Sequence, residues 1–486
     1  MVNGIVFSTV LALATLNLAQ GDQTRYSVAD LREDFSIYRH ALEEGHPGLY
    51  RYTPKREMDA LFDRANESIK SPMTSLEFFR LIAPIQSAVK CGHTRIIPSK
   101  ADRAQVEKTP LLPFSVVVIE NKAFVYRDLT DTPAHPGAEI RSINGVQTPE
   151  IVKKVENTME CDADVKSLKP YRLSASPTQS NWRFNTSLLT VLGMAPPYEV
   201  DFRDEDGRAS HEMVAGFLRS ELMTREKSKY PQDNRELEPA ELAFADNGKV
   251  AVMTIRSFDG PASLEGKLDL KTFYEQSFAQ MELKHTERLI LDLRGNGGGS
   301  DETGMQLLQH LVDKPFTYYA DLILNNITFK FTKYGPPKQP RELPKDFAEL
   351  GADGKYHNLH HPNNGTHDPA KPVFLGRLFV LADGGSFSTT CEFTSNLRYR
   401  RKTTFIGEET GGAFYGNNSG AVAQVILPHT GVTFYVPLME YVMAVSGEPK
   451  RRGILPDVPV KRSVEDMLAG RDRGMEVALR LAKQAS

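Results

Sequence analysis

The sequence predicts an α/β chain of about three domains. Three observations carry this reading: apolar stripes at helical spacing over residues 27 to 90, short strand-like runs between about 110 and 217, and strands alternating with helices from about 240 onward. The chain has 486 residues, 40% hydrophobic and 25% charged, so a disordered or collagen-like protein is excluded. Lys plus Arg number 59 against 62 Asp plus Glu, a net charge of -3, which leaves no basic surplus for a nucleic-acid partner. Three cysteines cannot scaffold a chain of this length.

The N-terminus comes first. Ile5 to Leu18 is nearly unbroken apolar sequence, turning polar at Ala19-Gln20-Gly21-Asp22. A bilayer span needs about 20 apolar residues, so residues 1–21 read as a signal peptide, although no Lys or Arg precedes Arg25. The expectation is a secreted or periplasmic protein with no integral span once the signal is removed.

Residues 22–105 read as a helical domain. Ser27 caps a stripe of Leu31, Phe35, Tyr38 and Leu42, Thr53-Pro54 opens a second helix, and Thr74 with Glu77 forms a capping box for a third. Residues 106–235 read as β-rich, with strands at Val116 to Ile119 and Ala123 to Tyr126. Pro136 to Val146, with its Ile-Asn-Gly turn, resembles the core of a PDZ domain, which implies an extended peptide ligand. Residues 160 to 215 show no clean period and are assigned to the β-rich part. Residues 236–486 read as a βα core with strands Lys249 to Ile255, Arg288 to Leu293, Arg377 to Ala382 and Thr403 to Ile406. Helices Leu268 to Met281, Glu302 to Val312 and Thr389 to Arg398 lie between them, and a hairpin, Ala421 to Leu427 with Val432 to Val436, follows.

Two motifs in this core could carry chemistry. Asp292-Leu293-Arg294-Gly295-Asn296-Gly297-Gly298-Gly299 joins a buried strand to a helix, where backbone N–H groups can face a developing negative charge. It fits neither a dinucleotide fingerprint nor a Walker loop, and a structural turn is its plain alternative. Asp383-Gly384-Gly385-Ser386-Phe387-Ser388-Thr389 also passes from strand to helix, which suits Ser388 as a nucleophile or as an N-cap. Cys391 is a rival nucleophile or a core residue. A serine nucleophile needs a base, and His93 in Cys91-Gly92-His93-Thr94 is the candidate. No metal or other cofactor is expected, since His-Glu-x-x-His and Cys-x-x-Cys are both absent.

Taken in order, these pieces resemble the C-terminal processing (tail-specific) serine peptidases, a family that includes the tricorn core and interphotoreceptor retinoid-binding protein. Phe405 to Gly412, Gly453-Ile454-Leu455-Pro456-Asp457 and the PDZ-like stretch add to the match. The resemblance implies a crotonase/ClpP-like βα core with an N-terminal helical domain and a PDZ-like β-rich domain. It also implies a polypeptide substrate and Ser388 as acyl-enzyme nucleophile, with the amides of Gly297, Gly298 and Thr389 as oxyanion hole. Members with a Ser-Lys pair carry Lys where this chain has Ala413, so the His-based branch is the better match, with His93 as base. That branch has a Glu where Lys450 stands, and Glu448 is the nominated partner for the imidazole. A binding protein for lipophilic ligands or peptides on the same fold is the alternative. Cys91 lies near His93 and Cys391 near Ser388, so the two could be close in space; the disulfide state of Cys91, Cys161 and Cys391 is left open.

Overall fold

A computed structural model describes residues 24–176, 180–231, 237–259 and 269–484 of the chain. The expected signal peptide, residues 1–21, lies outside the described residues. Among the described residues no helix is long and apolar enough to cross a membrane.

The helical start forms as its caps dictate. Helices Val28–Gly45 and Ser75–Val89 both begin with complete capping boxes, at Ser27/Asp30 and Thr74/Glu77, and helix Lys55–Glu67 follows Pro54. Their stripes bury Phe35, Tyr38, Phe62, Phe78 and Ile82 in one cluster. That cluster also takes in Val425, Phe434 and Val436 from the late hairpin. Tyr38 meets Phe434 edge-on, with ring centroids 4.9 Å apart.

The middle of the chain holds an antiparallel sheet ordered Phe114–Ile119, Lys122–Asp128, Glu139–Ile143, Tyr198–Arg203 and Ala209–Val214, with Val146–Gln147 beside Glu139–Ile143. Asn144 and Gly145 both have positive φ in the expected turn. Residues 160 to 215 are not uniformly β. Helices Leu168–Leu173 and Arg183–Thr190 precede the last two strands, and their apolar residues Leu173, Phe184 and Leu188 join the core of this sheet. These helices are too short for a periodic stripe to emerge from the sequence.

The core sheet runs Val458–Pro459, Thr404–Gly407, Arg377–Ala382, Arg288–Asp292, Val250–Ile255 and Ala240–Ala245. All pairs are parallel except the last, which is antiparallel. Leu289, Ile290, Leu291, Phe379, Val380 and Leu381 are buried, as strands covered by helices on both faces require. Strands Asn418–Ile426 and Thr433–Met443 pair as the expected hairpin. One connection was not foreseen. Strand Arg95–Ile97 adds to the hairpin, with Ile96 opposite Phe434, and so ties the end of the helical region to the core.

Candidate active site

The two glycine-bearing loops leave adjacent parallel strands, Arg288–Asp292 and Arg377–Ala382, so their C-terminal ends lie side by side. Asp383 links them, since its Oδ1 accepts the Gly295 amide at 2.9 Å and the Gly385 amide at 2.8 Å. Asn296 does the same from the other loop. Its carbonyl accepts the Phe387 amide at 3.0 Å and the Thr390 hydroxyl at 3.0 Å, while its Nδ2 donates to Ile255 O at 3.0 Å. Asp292 accepts the Arg294 amide and guanidinium, a structural role that keeps it out of acid–base chemistry.

Ser388 stands at the N-cap of helix Thr389–Arg400 with φ 58 and ψ -128, and its side chain makes no capping bond. Positive φ at a non-glycine residue is a strained conformation that surrounding packing must impose. Its effect here is to turn Oγ away from the helix amides, and Oγ lies 3.0 Å from His93 Nε2. Strand Arg95–Ile97 delivers this histidine, because its pairing to Thr433–Tyr435 begins two residues after His93. The imidazole stacks on Phe387 at 4.7 Å, and the Arg172 guanidinium sits 4.8 Å from the same ring. Burial, reinforced by the Arg172 cation, pushes the His93 imidazole down to about 3. The ring is therefore neutral at ordinary pH and able to accept a proton at Nε2.

The nominated amides divide. Gly297 N–H and Thr389 N–H have no acceptor among the described residues, and Gly297 borders open space. The Gly298 amide instead donates to Asn296 Oδ1 at 3.0 Å. Gly298 matters for its size: with φ +104, a Cβ there would lie 2.7 Å from Ser388 Cβ.

Glu448 requires a correction. It pairs with Arg398 at 3.0 Å and does not bond His93, whose Nδ1 is buried without a hydrogen-bond partner. Glu440, further away in sequence, pairs with Arg51. The carboxylate that does approach is Asp162, from the loop ahead of helix Leu168–Leu173. One of its oxygens, Cys91 Sγ and a His93 ring nitrogen all lie within 4.8 Å of one another. Asp162 Oδ1 accepts the Gly92 amide at 2.6 Å, and Oδ2 is buried without a partner of normal geometry. Burial, partly offset by the Gly92 amide, raises its carboxyl to about 6. Cys391 does not compete with Ser388. Its Sγ donates to Ser386 O and accepts the Gly412 amide, and burial pushes the thiol far up. All three cysteines, whose pairing the sequence left open, are free and buried.

Comparison with known proteins agrees with this architecture. Residues 249–460 match the family model described as Peptidase family S41. No curated protein matches the chain in sequence. Among solved structures, mature CPAF complexed with lactacystin superposes with a TM-score of 0.63 at 13% identity, covering 94% of this chain and 98% of that one. A second structure of mature CPAF gives a TM-score of 0.59 at 13% identity, over 94% of this chain and 97% of that one. At such identities the likeness is one of fold.

Proposed function

From a chain whose core matches peptidase family S41, we propose a serine peptidase that hydrolyses polypeptides through Ser388 and His93. One observation carries the reading: the 3.0 Å bond between Ser388 Oγ and a neutral, half-buried His93. His93 Nε2 takes the hydroxyl proton as Oγ attacks a peptide carbonyl. The Gly297 and Thr389 amides, free of internal acceptors, face the oxygen that becomes negative. The imidazolium then protonates the leaving amine, and water, activated the same way, frees the acyl group. Asp162 replaces Glu448 as the carboxylate beside the imidazole, where its charge would stabilise the imidazolium as it forms. The PDZ-like sheet is read as a seat for an extended peptide end, and residues 1–21 as the export signal that would bring the enzyme to secreted or periplasmic substrates.

The test is product mass spectrometry on unfolded polypeptides. Wild type should generate new termini, and Ser388→Ala and His93→Ala should lower the rate by roughly 10⁴–10⁶-fold. Cleavage that persists in Ser388→Ala would assign the activity to another group.

A further inference from the structure

We propose that Cys91, His93 and Asp162 form a binding site for one soft divalent cation of the zinc type, and that filling it switches the Ser388–His93 pair off. The donors come from two chain segments brought together by the fold, and all three atoms lie within 4.8 Å of one another. Cys91 and Asp162 are 1% and 2% exposed. His93 Nδ1 and Asp162 Oδ2 are both buried without a hydrogen-bond partner of normal geometry, and the Cys91 thiol contacts Asn418 O at 3.5 Å. Buried polar atoms are seldom left unpaired, so two of them side by side with a thiol point to a place for a third party.

The donor set says which party. Imidazole nitrogen, thiolate sulfur and carboxylate oxygen are the zinc ligands, whereas magnesium and calcium take oxygen alone. Thiolate plus carboxylate balance a double positive charge, so the filled site is neutral and its burial is tolerable. Three protein ligands leave the fourth position of a tetrahedral ion to water. On binding, the Cys91 S–H bond breaks, its proton passes to solvent and sulfur bonds the metal, while Asp162 enters as carboxylate. His93 donates its Nδ1 lone pair, which places the ring proton on Nε2. That N–H then donates to Ser388 Oγ and cannot accept its proton. The switch rests on the hydrolytic reading given above; the binding site does not.

Cobalt(II) titrated into the chelator-treated full chain reads the site directly through thiolate-to-cobalt charge-transfer absorption. One cobalt per chain is expected, displaced by zinc and not by magnesium, lost in Cys91→Ser and retained in Cys161→Ser. Zinc affinity in Cys91→Ser should fall by more than the roughly 10–100-fold that loss of an outer-shell partner costs. Asp162→Asn gives a second ligand test by zinc affinity alone. In parallel, zinc should suppress phosphonate labelling of Ser388 in wild type, a chelator should restore it, and Cys91→Ser should label in the presence of zinc. Absence of the thiolate band, or a band that survives Cys91→Ser, overturns the site. A band with labelling untouched by zinc overturns the switch. A chain that binds cobalt yet never labels, even metal-free, supports the site and defeats the hydrolytic reading instead.

Discussion

Ser388 and His93 are 295 positions apart, and the hydrogen bond between them is the contact on which the proposed chemistry depends. Each was legible in the sequence from its local setting, a strand-to-helix turn for one and a Gly-His-Thr for the other. The carboxylate beside His93 was not, because Asp162 has no motif of its own and meets the Cys91–His93 turn only through folding. Glu448, chosen by spacing, is taken by Arg398. Paired substitutions separate the two carboxylates. Asp162→Asn would remove the carboxylate charge beside the imidazolium and should lower kcat by roughly 10²–10⁴-fold. Glu448→Gln should leave turnover unchanged and alter stability by less than about 1 kcal/mol, since the Arg398 pair is partly exposed. Steady-state kinetics and denaturant melts on both variants check this.

Helix Thr389–Arg400 and the loop from Asp292 to Gly299 work as a unit, and each constrains the other. Gly298 fits under Ser388 only without a side chain, so Gly298→Ala should cost about 1–3 kcal/mol and, by displacing Oγ, about 10²-fold in turnover. One turn into the same helix, Glu392 is buried with Asp301 nearby. The Tyr319 hydroxyl lies 2.7 Å from Glu392 Oε2 and 2.9 Å from Asp301 Oδ2, and a single hydroxyl proton cannot serve both. Burial, then the Asp301 charge, accordingly raises Glu392 from 4.5 to about 7. Between those values the folded state binds a proton that the unfolded state has released. This group's contribution is therefore complete below about pH 4.5 and is lost as pH rises toward 7. Glu392→Gln should flatten the fall in thermal midpoint over that window, measured by calorimetry at matched ionic strength. The sequence showed the helix but not this cluster, because Tyr319, Asn417 and His361 reach it from separate loops and strands.

At the scale of the whole molecule, the sequence showed which segments are helical and which alternate β with α, since caps and periodicity are local. It did not show that Arg95–Ile97 would join the late hairpin, because a three-residue edge strand has no pattern to read. That join, with Phe434 buried against Tyr38, is what carries His93 to Ser388. Phe434→Ala should destabilise the chain by about 3–5 kcal/mol, and the loss of activity on warming should precede loss of the core sheet by circular dichroism. The account stands or falls on whether His93 activates Ser388. The most direct measurement is the rate of covalent labelling by a serine-selective phosphonate, with the adduct located by peptide mapping. The account predicts an adduct on Ser388 in wild type and a rate lower by at least roughly 10³-fold in His93→Ala. An equal rate in His93→Ala, or an adduct on another residue, would contradict it.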